Sequence, residues 1–354
     1  MIKKVLTFSI AAYNVEGYIE KCVGSMISPK LLDDIEVLII DDGSSDATAK
    51  KALEYEKKYP GTVRLISKEN GGHGSTINTG IKEARGRYFR AVDGDDWIDT
   101  KGAEKLVERL KKTDCDVVLC NSVHVFKNGF IRKVKYDNVV EKTYSMDEIA
   151  TVIEWMNYHS VIYKTDILKN NNIHLDEHCF YVDTEFMAFP VPFIKTVAYY
   201  NLEIYCYRRD NEGQSISESS RMKNIEHSKK VAIRLLRFLK DNKKNLSPMS
   251  LRYLQRGVAG HCMWHFRSLT FFAPDKQRGK ELISFDRYIK KMSPEVYRIM
   301  LTPASNRNPD DAKLIRLFRL ADNRIFVSYG ICRKVKHAIK NTAKLIAGKT
   351  LKTW

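Results

Sequence analysis

Apolar residues in the first 126 positions follow two alternating periods. Continuous apolar runs predict buried strands at Val5–Ala12, Ile35–Ile40, Val63–Ser67, Tyr88–Val92 and Val117–Phe126. Between them, apolar residues at helical spacing predict helices at Gly17–Ile27, Asp46–Tyr59, His73–Arg85 and Thr100–Lys111. Alternating strands and helices with short connections are typical of an open, mostly parallel sheet with helices on both faces. We therefore predict an α/β domain with its ligands at the carboxyl ends of the strands.

The pattern changes after residue 126. It predicts a hairpin at Phe126–Tyr136, a helix near Met146–Glu154, a short strand and helix within Val161–Lys169, and a strand at Thr196–Tyr207. From about residue 221 the pattern is that of long amphipathic helices, at 221–242, 248–269, 277–292 and 310–347. We predict an α/β domain over residues 1–217 and an α-helical region over residues 218–354.

Composition excludes several classes of protein. The chain has 354 residues, of which 44% are hydrophobic and 10% aromatic, so it can bury a sizeable core and is not intrinsically disordered. Seven scattered cysteines without a CxxC pair predict reduced thiols in the cytosol. We expect neither a spanning helix nor a signal peptide, since no apolar run is long enough. His261 and His265 have metal-ligand spacing but lack a third ligand, so we expect core or surface histidines.

Positive charge is concentrated at the C-terminus. The formal net charge is +17, and residues 313–354 hold eleven lysines and arginines against a single acid, Asp322. Within this tail, isoleucines and valines at helical spacing form one face and basic residues form the rest. Such a helix is typical of binding to anionic lipid, which predicts a cytoplasmic protein held peripherally on the membrane. The alternative is a helix packed on the helical region with its charged face in solvent.

Three polar motifs follow the first three strands. Small residues in Ser9–Asn14 let a ligand approach the backbone closely, with Ala11, Ala12 and Asn14 nearest. Asp42 follows the second strand and can accept a hydrogen bond from a ribose hydroxyl or a pyrimidine NH. The glycine-rich Glu69–Gly74 loop, followed by Asn78, brings backbone NH groups toward an anion at a helix N-terminus. Each motif is also compatible with an ordinary turn.

The most informative motif is Asp93-Gly94-Asp95-Asp96, at the end of the fourth strand. Three carboxylates within four residues repel one another unless a cation or a donor-rich ligand lies between them. Hard divalent ions bind such oxygens together with substrate phosphates. A solvated acidic turn is the alternative.

Two further segments carry candidate chemistry. In Tyr181–Phe186, a carboxylate could accept a proton from a substrate hydroxyl, although acids at a helix N-terminus also occur for structural reasons. Arg208–Ser215 is polar and follows a strand, so it could fold over a diphosphate with an arginine as the anion clamp, or it could be a solvated linker.

Together and in this order, the motifs SIAAYN, IDDGSSD, ENGGHGSTINTG, AVDGDDW and YVDTEF resemble the family 2 glycosyltransferases of GT-A fold, over roughly residues 3–215. The resemblance implies a nucleotide-diphospho-sugar-binding domain built on a mixed sheet. It also implies transfer of a sugar, from a donor such as a UDP-sugar to an acceptor hydroxyl, with inversion and with Mn²⁺ or Mg²⁺. A glycan or lipid-linked acceptor fits the basic tail.

The resemblance also implies roles for individual residues. It places Ala11, Ala12 and Asn14 near the nucleotide, Asp42 on the uracil or ribose, and Asp93 on the ribose or donor sugar. It assigns the metal to Asp95, with Asp93 beside it, and the base to Asp183, with Glu185 as the alternative. Gly72, His73, Asn78 and Arg209 complete the expected donor site.

Other functions fit the sequence less well. A nucleic-acid-binding protein would explain the positive charge, but the carboxylate clusters would repel phosphates, so we expect no nucleic-acid partner. A sugar nucleotidyltransferase would need a basic glycine-rich loop after the first strand, where this chain has Ala11–Gly17 (AAYNVEG). A catalytically inactive module that binds sugar nucleotides remains open.

Overall fold

The computed structural model describes residues 4–209, 218–272, 276–302 and 309–320. These residues form two compact units. The first unit comprises the described residues up to 209 together with residues 246–250, and the second comprises the other described residues from 218 onward. The predicted boundary at residue 217 lies outside the described residues, so it stays a prediction.

The first unit is built on one mixed ten-stranded sheet. The strands are β1 (Leu6–Ala12), β2 (Ile35–Asp41), β3 (Val63–Ser67), β4 (Tyr88–Asp93), β5 (Trp97–Ile98), β6 (Val117–Phe126), β7 (Ile131–Val134), β8 (Thr143–Ser145), β9 (Val161–Lys164) and β10 (Thr196–Arg209). The main path of the sheet runs β3-β2-β1-β4-β9-β6-β10-β5, while β7 pairs with β6 and β8 pairs with β10. Strands β1 to β4 are mutually parallel, β6 is parallel to β10, and β5, β7, β8 and β9 pair antiparallel with their neighbours.

Helices cover this sheet and bury its apolar strands. They are α1 (Ile19–Gly24), α2 (Thr48–Lys58), α3 (His73–Glu83), α4 (Thr100–Lys111), α5 (Met146–Val152), α6 (Thr165–Asn170) and α7 (Asp183–Ala188). Every residue of β2 is buried, as expected for a central parallel strand. Because the carboxyl ends of β1 to β4 lie along one edge of the sheet, the four polar motifs that follow them come together there.

Three strands of the structure differ from the predicted pattern. The short strands β5 and β8 were not expected, since two or three residues leave too little periodicity to detect. Strand β9 lies between β4 and β6 and is antiparallel to both. The simple alternation of strands and helices would instead place β4 and β6 side by side. The sheet is therefore less parallel than the first 126 residues suggest.

The second unit is helical in its described residues. Its helices are α8 (Glu218–Lys223), α9 (Ile225–Asn242), α10 (Pro248–Phe272, whose first three residues belong to the first unit), α11 (Lys276–Met292), α12 (Pro294–Ile299) and α13 (Pro309–Leu320). His261 and His265 are buried, as the core alternative predicts, and the His261 ring bonds the Ser228 carbonyl. The predicted amphipathic helix beyond residue 320 lies outside the described residues. No helix among those described has the length and apolar character needed to cross a membrane.

Candidate active site

Asn14 joins the loops that follow β1 and β2. Its backbone is in the left-handed region (φ 51°), its side-chain oxygen accepts a hydrogen bond from the Ser45 NH (2.9 Å), and its own NH donates to Ser44 (3.0 Å). Upstream, Ala11 is half-buried and Ala12 fully buried, and the Ala11 carbonyl accepts a bond from the Gly94 NH (2.9 Å). The small residues at the end of β1 therefore allow the Asp93–Asp96 turn to pack against this strand.

Asp42 fixes the glycine-rich loop. Its carboxylate is 2% exposed and accepts hydrogen bonds from the Gly71 NH (2.9 Å) and the Gly72 NH (2.8 Å), while the Lys68 ammonium pairs with it at 2.8 Å. Gly72 has a φ of 81°, a conformation that suits glycine, and it immediately precedes α3. Asp42 thus sets where α3 begins.

Asn78 holds a different part of the chain. Its amide nitrogen donates to the Leu175 carbonyl (3.0 Å) and its oxygen accepts from the Leu175 NH (2.8 Å). The amide nitrogen also lies 3.1 Å from Glu177. The Asn78 side chain therefore anchors the segment that leads to α7. Its contact with a nucleotide stays a prediction.

The Asp93–Asp96 turn is held by Tyr205. The Tyr205 hydroxyl donates to Asp96 Oδ2 (2.7 Å) and accepts from the Asp93 NH (3.1 Å). The Arg208 NH donates to Asp96 Oδ1 (2.7 Å) and its guanidinium donates to the Asp95 carbonyl (2.8 Å). Asp96 is 1% exposed, and both of its carboxylate oxygens accept hydrogen bonds within the protein.

Burial and neighbouring carboxylates shift the pKa values of this turn. Burial, with the charges of Asp183 and Asp95 adding and His73 opposing, raises the pKa of Asp93 to about 7. Burial and the charges of Asp93 and Asp95 raise the pKa of Asp96 well above its usual value. Among the described residues, one ligand atom from each of Asp93, Asp96 and His159 lies within 4.8 Å of the others. Asp95, the predicted metal ligand, is adjacent to this group but not part of it.

Asp183 begins α7 and lies beside His73. Asp183 Oδ1 is 3.4 Å from His73 Nε2, and its side chain is 53% exposed. Although burial opposes ionisation, the hydrogen bond from His73 and its charge lower the pKa of Asp183. Glu185, two residues later, is fully buried and accepts a bond from the Asp176 NH (2.8 Å). Of the two predicted bases, only Asp183 is an exposed carboxylate.

Tyr158 and His159 are site residues that the sequence analysis missed. The Tyr158 hydroxyl donates to Asp93 Oδ1 (3.2 Å), and His159 Nε2 lies 3.9 Å from Asp93 Oδ2. The His159 ring stacks on Tyr207 at 4.3 Å between centroids, and burial lowers the pKa of His159 to about 3. Both residues belong to a short 3₁₀ turn before β9, and no motif marks them in the sequence.

Arg209 ends β10 on the same side as these rings. Its guanidinium lies over Tyr207 (5.4 Å) and Phe126 (5.9 Å). The remainder of the predicted diphosphate-binding segment, residues 210–217, lies outside the described residues.

The model of the family described as "Glycosyl transferase family 2" matches residues 7–184, half of the chain. This range contains the motifs that follow the first four strands and it contains Asp183, but it ends before Glu185 and Arg209. The chain belongs to glycosyl transferase family 2. The resemblance predicted from the five motifs is therefore confirmed.

Relatives of this family 2 chain include bacterial proteins. It is 37% identical over 116 residues to an uncharacterized glycosyltransferase, EpsJ, of Bacillus subtilis, an alignment that covers 33% of each chain. It is 28% identical over 204 residues to the teichoic acid poly(glycerol phosphate) polymerase of Staphylococcus epidermidis, covering 56% of this chain and 28% of the relative. The chain thus spans about a third of the length of these two curated relatives.

A crystal structure of S. aureus TarS in complex with UDP-GlcNAc has a similar fold. It superposes with a TM-score of 0.65 at 19% identity, over 94% of this chain and 92% of the TarS chain. This confirms the predicted fold class, a GT-A mixed sheet followed by a C-terminal helical region.

Proposed function

We propose that this family 2 member is an inverting glycosyltransferase that moves a sugar from a nucleotide-diphospho-sugar, a UDP-sugar, to an acceptor hydroxyl. The observation that carries the proposal is the pair of carboxylates joined through His73, Asp93 at the end of β4 and Asp183 at the start of α7. One lies where the donor is expected at the strand ends, and the other is exposed and ionised.

Asp183 is the base in this proposal. Its carboxylate accepts the proton of the acceptor hydroxyl as that oxygen bonds to the anomeric carbon and the bond to the leaving diphosphate breaks. Attack from the face opposite the diphosphate inverts the configuration in one displacement. Glu185 is the weaker candidate, because its buried carboxylate already bonds the Asp176 backbone.

Asp93 and Asp95 fit a divalent cation, Mn²⁺ or Mg²⁺. Their oxygens are the ligands that hard cations prefer, and the burial of Asp93 close to the charges of Asp183 and Asp95, which raises the pKa of Asp93, supports a cation at this point. The cation would neutralise charge on the leaving diphosphate. Asp96 supports the turn through Tyr205 rather than acting as an open ligand.

The donor site that we propose follows the edge of the sheet. The small Ala11 and Ala12, with Asn14 after them, leave room for the nucleotide. Asp42 accepts the NH groups of Gly71 and Gly72, and its carboxylate has further lone pairs for the base or ribose. Gly72, His73 and Asn78, at the start of α3 and on it, belong to the same proposed donor site. Arg209 approaches from β10 as the clamp for the diphosphate.

The acceptor that we propose is a growing cell-surface polysaccharide or a lipid-linked glycan. Support comes from the relative that is a teichoic acid polymerase and from the concentration of basic residues after residue 313. A protein held on the cytoplasmic membrane face by this tail would meet such acceptors where they are made.

A turnover screen tests the proposal. Release of UDP from UDP-glucose, UDP-galactose and UDP-GlcNAc is measured with Mn²⁺ and with excess chelator, and NMR records the configuration of the sugar first released. We expect one donor to be turned over with inversion, and we expect excess chelator to stop the release of UDP. Asp95→Asn should lower the rate of UDP release at least ~10-fold, because it weakens the binding of the cation that stabilises the leaving diphosphate. Binding of every UDP-sugar without turnover would instead indicate an inactive module.

A further inference from the structure

His73 occupies the space between the two carboxylates of the site. Its Nε2 atom lies 3.4 Å from Asp183 Oδ1, 3.8 Å from Asp93 Oδ1 and 3.3 Å from the Tyr158 hydroxyl. Asp93 ends β4 and Asp183 begins α7, so the imidazole joins elements that are 90 residues apart in sequence.

Tyr158 completes the link. Its hydroxyl donates to Asp93 Oδ1 at 3.2 Å and contacts His73 Nε2. The residue is buried, and its ring packs edge-on against His73 (6.0 Å) and Phe186 (5.9 Å). A buried ring with two aromatic neighbours has little freedom to move, so the hydroxyl is held in place.

The loop before His73 is fixed independently. Asp42 accepts the NH groups of Gly71 and Gly72, and the His178 NH donates to the Gly71 carbonyl (2.5 Å). His73 is the first residue of α3, directly after this loop. The loop that precedes the imidazole is therefore held by Asp42 at the end of β2 and by the His178 backbone.

Without donors between them, two neighbouring carboxylates separate or share a proton. The His73 ring supplies a donor at this point, because its Nε2 atom lies 3.4 Å from Asp183 Oδ1 and 3.8 Å from Asp93 Oδ1.

We propose that His73 and Tyr158 are positioning residues, which together hold the base Asp183 at a fixed separation and orientation from the donor-site carboxylate Asp93. This inference rests on the proposed function. It gives His73 a different role from the contact with the nucleotide that the sequence predicts. With Oδ1 of Asp183 held by His73, Oδ2 is the oxygen that receives the acceptor proton.

The test uses His73→Leu, His73→Gln and Tyr158→Phe, alone and each combined with Asp183→Asn. UDP release is measured with the UDP-sugar that the wild type turns over fastest, and the affinity for UDP with Mn²⁺ is measured by calorimetry. His73→Leu should lower kcat by ~10- to 100-fold, the scale of a lost alignment, with the donor KM and the UDP affinity within about threefold. His73→Gln, which keeps a donor near the Nε2 position, should recover part of the loss.

The combined variants separate positioning from a general structural effect. If His73 acts through Asp183, then adding His73→Leu to Asp183→Asn should cause no further loss, whereas independent effects would multiply. Tyr55→Phe is the matched control, because the Tyr55 hydroxyl donates to the Glu20 carbonyl on α1 (3.1 Å) and contacts none of the site residues named above. It should retain wild-type kcat.

Two results would overturn the inference while leaving the proposed function intact. One is an unchanged kcat in both His73→Leu and Tyr158→Phe when Asp183→Asn is inactive. The other is a large loss of UDP affinity in His73→Leu with kcat retained, which would place His73 on the nucleotide. Full activity of Asp183→Asn would instead overturn the proposed base. Should His73→Leu fail to fold, His73→Gln and Tyr158→Phe carry the same comparison.

Discussion

Asp183 and Glu185 are both acids of the short helix α7, but their surroundings give the two carboxylates different functions. Asp183 is half-exposed and has His73 for a partner, so it stays ionised and accessible. Glu185 points into the protein, where it satisfies the Asp176 NH. The two residues differ by about half a helical turn, which is enough to put one at the surface and the other in the core.

His265 gives a prediction at the same scale, on stability rather than catalysis. It is fully buried against Phe285, and burial lowers its pKa from 6.5 to about 3. The folded state therefore keeps the ring neutral, while the unfolded chain binds a proton below pH 6.5. The contribution of the neutral His265 ring to the free energy of unfolding is therefore complete above pH 6.5 and is lost as the pH falls from 6.5 toward 3.

We expect the free energy of unfolding of the second unit to fall by about 1 kcal/mol more in the wild type than in His265→Phe between pH 7.5 and 5.5. Urea denaturation at both pH values, followed by tryptophan fluorescence and circular dichroism, measures this difference. The exposed His174→Gln variant is the control and should behave as the wild type does. Equal pH dependence in wild type and His265→Phe would contradict the assignment.

At the scale of elements, the strands buried in the core could be predicted from the sequence. The short 3₁₀ turn before β9, which carries Tyr158 and His159, could not. Continuous apolar runs predicted β1, β2, β3, β4 and β6 closely, and the parallel order of β1 to β4 brings the polar motifs that follow them to one edge of the sheet. Tyr158 and His159 were missed because they reach Asp93 only through the insertion of β9 between β4 and β6. That insertion is a long-range pairing, which local periodicity does not record.

Helix α3 provides the element-scale prediction. A Cβ added at Gly74 would lie 2.1 Å from the Asp176 carbonyl oxygen, a backbone atom of the segment that Asn78 anchors. Gly74→Ala should therefore push that segment away and destabilise the protein by about 1–3 kcal/mol. Thermal unfolding measures the loss. Gly260→Ala, in a helix with nothing within 4 Å of the added Cβ, is the control and should be neutral or slightly stabilising.

At the scale of the whole molecule, the uneven charge suggests where the protein works. The contacts of α13 determine where the basic tail can be removed. In α13, Leu314 and Ile315 are buried and Arg319 pairs with Asp286 at 2.8 Å, so removing this helix would expose the core of the second unit. Truncation after Leu320 leaves these contacts in place.

We expect the intact protein to co-sediment with vesicles containing anionic lipid at low salt and to be released at high salt, because each basic residue near the surface contributes about 1 kcal/mol. The protein truncated after Leu320 should lose most of this binding and keep its rate of UDP release. Intact protein that stays in the supernatant at low salt would refute the membrane role. A lower melting temperature after truncation would favour the alternative, a tail packed on the helical region.

The central claim is that Asp183 is the base of a sugar transfer, and the rate of UDP release by Asp183→Asn tests it most directly. The substitution keeps the shape of the side chain but removes its affinity for a proton, so UDP release should fall by ~10²-fold or more while the affinity for UDP with Mn²⁺ is retained. Glu185→Gln is measured under the same conditions, and its folded fraction should release UDP at close to the wild-type rate. Wild-type release by Asp183→Asn, with release abolished in folded Glu185→Gln, would contradict the account.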